Sequence, residues 1–434
     1  MHAETAYLFR HALLRDAAYQ LQLPGDRARL HALALELIES VLGGRAPEPA
    51  PLESEGVRTS LRHPTDDSAA ELAEHARLAG EAQSGQRDYL IAVRKLYLRR
   101  AAEHAERGFQ SKVATRAWEQ LADLVPEIER GEVLRRWAAA LWADGRREGV
   151  EGILQKAASL HRKWGNRTGD GVATENLANL YHETGRQEEA EAAHERAIAI
   201  HRETGNRWCE GVALANIANL QLDKGKAQVA EQLLEQALAI HREVGNRRSE
   251  GISLNNLANL YFDASRFEAA EGAFLQAISI HREVRNRRSE GAALANLGML
   301  YQEAGRTSSA ETAFLSALNC MNESGNVQNK GFTLGCLANL FCSTGRLEAA
   351  RRSFESALAI HRDCGNLRHE AIHLRDYALC LLALDHVPEA RRSWSHGTSL
   401  LTGRRNGPEV GRQSDRMRQA CIAAGVPPLE PDLS

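Results

Sequence analysis

The chain has 434 residues, more than one compact core accommodates, so several domains or one elongated array are implied. Charged residues make up 26% and hydrophobic residues 43%, and the formal net charge of -3 gives no global reason to expect nucleic-acid binding. Seven cysteines with no Cys-x-x-Cys pair argue against a disulfide framework or a zinc knot and fit a reducing, cytoplasmic compartment, and no apolar run approaches the roughly 18 residues of a membrane span.

The first residues, Met1-His2-Ala3-Glu4, lack the basic and apolar segments of a signal peptide. Residues 1–44 read as a separate helical piece. Tyr7-Leu-Phe-Arg-His-Ala-Leu-Leu-Arg-Asp-Ala-Ala-Tyr19 is followed by Leu23-Pro24 and Arg29-Leu30-His31. This resembles the last part of the ATPase module in large bacterial signalling proteins, where a helical repeat array follows. No GxxxxGK[ST] loop precedes it, so no nucleotide site is carried over, and a helical cap is the alternative. Leu13, Leu14, Leu30, Leu33, Leu37 and Ile38 are too many apolar side chains for a free tail, so packing on another helix is expected. Residues 45–68, with Pro47, Pro49, Pro51 and Pro64, read as a linker. Residues 69–130 form a divergent helical region, in which Ala102, Ala105, Ala114 and Trp118 fall in repeat register.

Residues 131–402 repeat with a period of 40. Ala138, Ala178, Ala218, Ala258, Gly298, Ala338 and Ala378 form one series. Gly145, Gly185, Gly225, Ser265, Gly305, Gly345 and Asp385 form a second, and Ala190, Ala230, Ala270, Ala310, Ala350 and Ala390 a third. Each unit predicts two helices. Leu254, Leu257, Ala258 and Tyr261 recur at helical spacing, a turn follows at Ala264-Ser265-Arg266, and Ala270, Phe274, Ala277 and Ile278 face inward from the second helix. Gly-Asn pairs such as Gly205-Asn206 are expected to stop the second helix. One hairpin cannot bury both faces, so neighbours must stack. Residues 403–434 predict a short capping helix near 409–424 and a Pro-rich end.

The pattern Leu-(Ala/Gly)-x-x-Tyr, then Gly, then two alanines, resembles the tetratricopeptide repeat, here in a 40-residue form similar to that of kinesin light chains and spindle-orientation adaptors. The resemblance implies an all-α fold, a right-handed superhelical solenoid of antiparallel helix hairpins. It implies a non-catalytic scaffold that binds a protein or peptide in a concave groove, without nucleic acid or membrane. The alternative is a sensor arm of a larger signalling ATPase or kinase encoded upstream.

His369-Glu370-Ala371-Ile372-His373 matches HExxH, which on a helix offers two imidazoles on one face and a Glu as general base. Repeat register explains it more simply. Glu370 fills the slot of Glu210, Glu250 and Glu290, and His373 replaces Ala213, Ser253 and Ala293. No third ligand is evident, so a metallopeptidase is the remote reading, and no metal or cofactor is expected. His161, His201, His241, His281 and His361 stand one hairpin apart, too far to share an ion, which assigns them to packing. Arg207, Arg247 and Arg287 are expected near helix C-termini, offsetting the dipole.

One series has no such explanation. Asn176, Asn216, Asn256 and Asn296 share a slot, and Asn179, Asn219, Asn259 and Asn339 repeat three residues later. They predict one helix face turned away from Leu177 and Tyr181. Asn costs up to about 0.7 kcal/mol against Ala inside a helix, so its repetition on an exposed face asks for a reason. An amide that donates and accepts suits the backbone of an extended peptide. Expected contacts are Asn176, Asn179, Asn216, Asn219, Asn255, Asn256, Asn259 and Asn296, with Glu175, Ala215, Asn255 and Ala295 as the variable neighbours. The related adaptors look similar in this use of groove asparagines.

Overall fold

The computed structural model describes residues 22–52, 61–81, 84–401 and 408–429. The run from 7 to 19 that carries most of the ATPase-module resemblance lies outside them, as do Leu13 and Leu14. The described residues hold 19 α-helices, two short 3-10 turns and no strand. The fold is all-α, of the repeat-solenoid class. The chain divides into two compact units, Met1–Asn216 and Ile217–Ser434.

In the first unit α1 (Pro24–Val41), α2 (Ala69–Gly80), α3 (Arg87–Arg107), α4 (Ser111–Ala122), α5 (Glu127–Ala143), α6 (Val150–Lys163), α7 (Arg167–Glu183) and α8 (Gln187–Glu203) pack each against the next. Ala28 and Leu35 are the buried apolar residues of α1. Leu30, Leu33 and Leu37, expected to pack, are exposed instead, because the helix turns Leu35 to α2 and leaves them on the other faces. The two described ends of the Pro-rich stretch are docked rather than loose. Arg100 of α3 donates to Asp66 Oδ1 at 2.7 Å and to the carbonyls of Pro47 and Leu61 at 3.3 and 3.1 Å.

Helix α9 (Arg207–Asp223) contains the division between the units. In the second unit follow α10 (Ala227–Glu243), α11 (Arg247–Asp263), α12 (Phe267–Glu283), α13 (Arg287–Glu303), α14 (Thr307–Ser324), α15 (Val327–Ser343), α16 (Leu347–Asp363), α17 (Leu367–Ala383), α18 (Val387–Leu401) and α19 (Pro408–Ala423). From α10 to α18 consecutive helices pack together, and the first helices α11, α13, α15 and α17 also touch one another in order. Helix α19 returns to α17, burying Met417 and Cys421 with Trp394.

The Gly-Asn pairs do two jobs. Gly245 adopts φ 69°, the left-handed conformation that ends α10. Asn246 does not share it. Its φ is -79° and its side chain accepts from Ser249 N at 3.2 Å, so it is the N-cap of α11. The same cap recurs at Asn166, Asn286, Asn326 and Asn366.

The small residues lie at helix crossings. Ala258 and Ala270 are fully buried beside Phe274 and Ile278. We expect Ala258→Leu to cost about 1–3 kcal/mol by overpacking. Urea denaturation checks this, and an unchanged midpoint would remove the assigned crossing.

Candidate functional site

Asn176, Asn179, Asn216, Asn219, Asn255, Asn256, Asn259 and Asn296 lie on the first helices α7, α9, α11 and α13. All are half-buried rather than exposed. In the first unit Asn216 Nδ2 donates to Glu175 Oε1 at 2.8 Å, and Glu175 Oε2 lies 3.1 Å from His194 Nδ1. In the second unit Asn256 Nδ2 donates to Asn219 Oδ1 at 3.0 Å, and Asn296 Nδ2 to Asn259 Oδ1 at 2.9 Å. Four of the asparagines are thus partners of one another between neighbouring first helices. These bonds offset the poor helix propensity of Asn.

The row changes in two ways, once at both members of a pair and once at a single member. Cys336 replaces the next Asn, and the slot that would face it holds Met299; both pack on the same apolar cluster. Asp376 replaces the one after, and Asn339 Nδ2 donates to its Oδ2 at 2.9 Å. Gln413 of α19 donates to the other oxygen at 2.8 Å. Burial holds the Asp376 carboxyl above the usual carboxylate range despite these donors. This pairing was missed from sequence, although the joint loss at Met299 and Cys336 was its signal. Of the variable neighbours, Glu175, Ala215 and Ala295 are buried; Asn255 is half-buried, and its Oδ1 has no hydrogen-bond partner.

The HExxH segment is repeat framework. Glu370 Oε1 accepts from Arg362 Nε at 2.8 Å, as Glu250 does from Arg242 at 2.9 Å and Glu290 from Arg282 at 2.7 Å. A second arginine, Arg247 or Arg287, completes the earlier clamps at 2.6 Å, and Leu367 stands in its place before Glu370. Those arginines are therefore not at helix C-termini, as expected, but at the first residue of each following helix. There each holds a buried carboxylate.

His373 Nδ1 lies 3.0 Å from His361 Nε2, and the His369 ring stacks on His361 with centroids 5.7 Å apart. Burial first, then the neighbouring imidazoles, push His373 down to about 3 and His361 to about 4. Among the described residues no group of three or more His, Cys, Asp or Glu is arranged to hold a metal ion. The other histidines of the series are packing groups. A side chain added at Gly251 would lie 2.7 Å from the His281 ring, so that ring occupies the space a glycine leaves on the preceding helix of its hairpin, as His201 does at Gly171 and His361 at Gly331. Among the described residues no helix is long and apolar enough to cross a membrane.

Sequence models described as Tetratricopeptide repeat match residues 129–203, 210–283 and 250–323, and another so described matches 333–363. No curated protein matches the sequence. Among solved structures, the apo form of the quorum sensor NprR from B. thuringiensis is similar at 12% identity and TM-score 0.56, over 78% of this chain and 98% of that one. A Rap protein complexed with competence and sporulation factor is similar at 13% identity and TM-score 0.54, over 90% and 99%. A signal transduction ATPase with a tetratricopeptide repeat sensor, from Pyrococcus horikoshii, is similar at 14% identity and TM-score 0.53, over 81% of this chain and 54% of that one. At these identities the likeness is one of fold.

Proposed function

The chain belongs to the tetratricopeptide repeat family, whose repeats are scaffolds for protein interactions, and from that premise we propose that it holds an extended peptide along its first helices and catalyses no reaction. The observation that carries this reading is the state of the asparagines. In the second unit each pair uses one amide hydrogen and one carbonyl oxygen for its bond between helices. The remaining hydrogen-bonding atoms stay on a half-exposed face with their orientation set. An extended backbone presents N–H and C=O groups that such amides satisfy without requiring particular side chains. The proposed contacts are Asn176, Asn179 and Asn216 in the first unit and Asn219, Asn255, Asn256, Asn259 and Asn296 in the second. The Rap protein of the same fold, solved with competence and sporulation factor, supports a ligand of this kind.

The test starts from peptides selected on the whole chain from a random displayed library. Asn256→Ala with Asn296→Ala should weaken a selected peptide more than tenfold, about 2 kcal/mol for two contacts, with the melting temperature nearly unchanged. Full binding by the double variant, or a large fall in melting temperature, would assign these asparagines to the scaffold alone.

A second reading makes the chain the sensor arm of a larger signalling ATPase or kinase. The Pyrococcus horikoshii protein favours it, since this chain spans about half the length of a signal transduction ATPase that carries a tetratricopeptide repeat sensor. Immunoblotting of the native product decides: a band near 47.8 kDa removes this reading.

A further inference from the structure

A cleft of about 530 Å³ lies in the first unit between α2 and α3, closed at one end by Leu124 after α4. Ala76, Leu90, Ile91 and Leu124 give it apolar walls. Three arginines line it as well, and they differ in what they already hold. Arg77 is committed to carboxylates at all three of its nitrogens: its Nε and Nη2 donate to Glu74 at 2.9 and 2.6 Å, and its Nη1 to Glu81 at 2.6 Å. Glu81 lines the same cleft, so its carboxylate is committed there.

Arg94 is not so committed. Its one hydrogen bond is from Nη2 to the neutral Gln120 Oε1, at 3.2 Å. Its Nε is buried with no acceptor. Burial, and then the Arg77 charge, hold this half-buried guanidinium below the usual arginine range; Glu74 and Asp123 oppose the shift, but neither carboxylate is hydrogen-bonded to it. Arg87 at the exposed rim has no ion pair among the described residues. A buried, unmet donor on a cation is a cost that a ligand removes. Arginine forks match carboxylates, and the walls match an apolar body.

We propose that this cleft binds a small amphipathic carboxylate, an apolar molecule whose single carboxyl group is taken by Arg94 with Arg87 at the rim. Two sources share that chemistry: a free medium-chain fatty acid, and the C-terminus of a peptide with apolar last residues. The site lies on α2, α3 and the end of α4, apart from the asparagine face, and stands whether or not that face binds peptide.

Calorimetry on the full chain tests it, with octanoate and N-acetyl-leucyl-leucine as probes, each beside its amide, and acetate as the charge alone. At least one acid should bind tenfold or more tighter than its amide and than acetate, and the acid that does so identifies the source. Arg94→Gln, which keeps a partner for Gln120, should abolish the preference for acid over amide. Gly80→Leu should fill the cleft from α2, where an added Cβ meets only Leu90 Cβ at 3.8 Å, and should weaken binding at least tenfold without touching the arginines. Neither acid binding better than its amide overturns the proposal. So does an acid preference that survives Arg94→Gln. If that variant fails to fold, full binding by Gly80→Leu overturns it, and the expected weakening supports it.

Discussion

Arg100→Met is expected to destabilise the chain by about 3–5 kcal/mol, the usual result of leaving one member of a buried ion pair behind. The Arg100 and Asp66 side chains are each 1% exposed and meet at 2.7 Å. Asp66 also accepts from His63 N at 3.1 Å and from Arg107 Nη2 at 3.3 Å. Met keeps the apolar part of the side chain but leaves the buried carboxylate with only the partly exposed Arg107 as its cation and frees the carbonyls of Pro47 and Leu61. The urea midpoint measures the loss, and proteolysis within 45–68 should quicken with it. Adding Asp66→Leu should restore much of the stability, since an apolar pair of similar volume replaces buried charges at little cost. A loss under about 1 kcal/mol, or no recovery in the double variant, would mean that the pair is not sealed from water.

Acidification from pH 7 to pH 5 is expected to cost the second unit on the order of 2 kcal/mol for each of His361 and His373. Both imidazoles are buried and neutral, at about 4 and about 3, against about 6.5 in an unfolded chain. The sign follows from proton counting. Between 6.5 and the folded values the unfolded state binds more protons, so stability falls as pH drops through 6.5 and levels off only below about 3. The groups facing the pair are His369 and Glu370 on α17, with Phe332 of α15 and Phe354 of α16 against the rings. Glu370 opposes the fall at His361 but is outweighed by burial and by His369. His373→Ser, with the residue that Ser253 supplies at the same slot, should remove roughly half of the pH dependence. A thermal midpoint that is flat from pH 7 to pH 5 would show that the cluster is hydrated.

Much of this was legible in the residues because the repeat samples each position several times. Ala258, Ala270 and Phe274 fall at the crossings that their spacing predicts. Register places Glu370 of the HExxH match in the slot of Glu250 and Glu290, and Arg362 meets it as Arg242 and Arg282 meet those. Less was legible where a residue's role depends on a partner about 37 positions away. The asparagines were placed on the right helices, yet nothing local says that Asn256 reaches Asn219. Arg94 belongs to no series, and its unmet Nε donor is a property of what α2 and α4 bring beside it.

Sequence alone determined the helices, their pairing into hairpins and the family, because apolar period, small-residue spacing and capping residues are local. Even the second role of Gly-Asn was latent there, since Asn is a strong N-cap and a helix follows each one. Tertiary structure alone decided which polar groups satisfy one another. Arg100 gathers Asp66, Pro47 and Leu61 from three separate stretches, Asn219 finds Asn256, and His373 meets His361. Hydrogen bonds and charges act over a few ångströms, and only the stacking of helices brings residues so distant in sequence within that range.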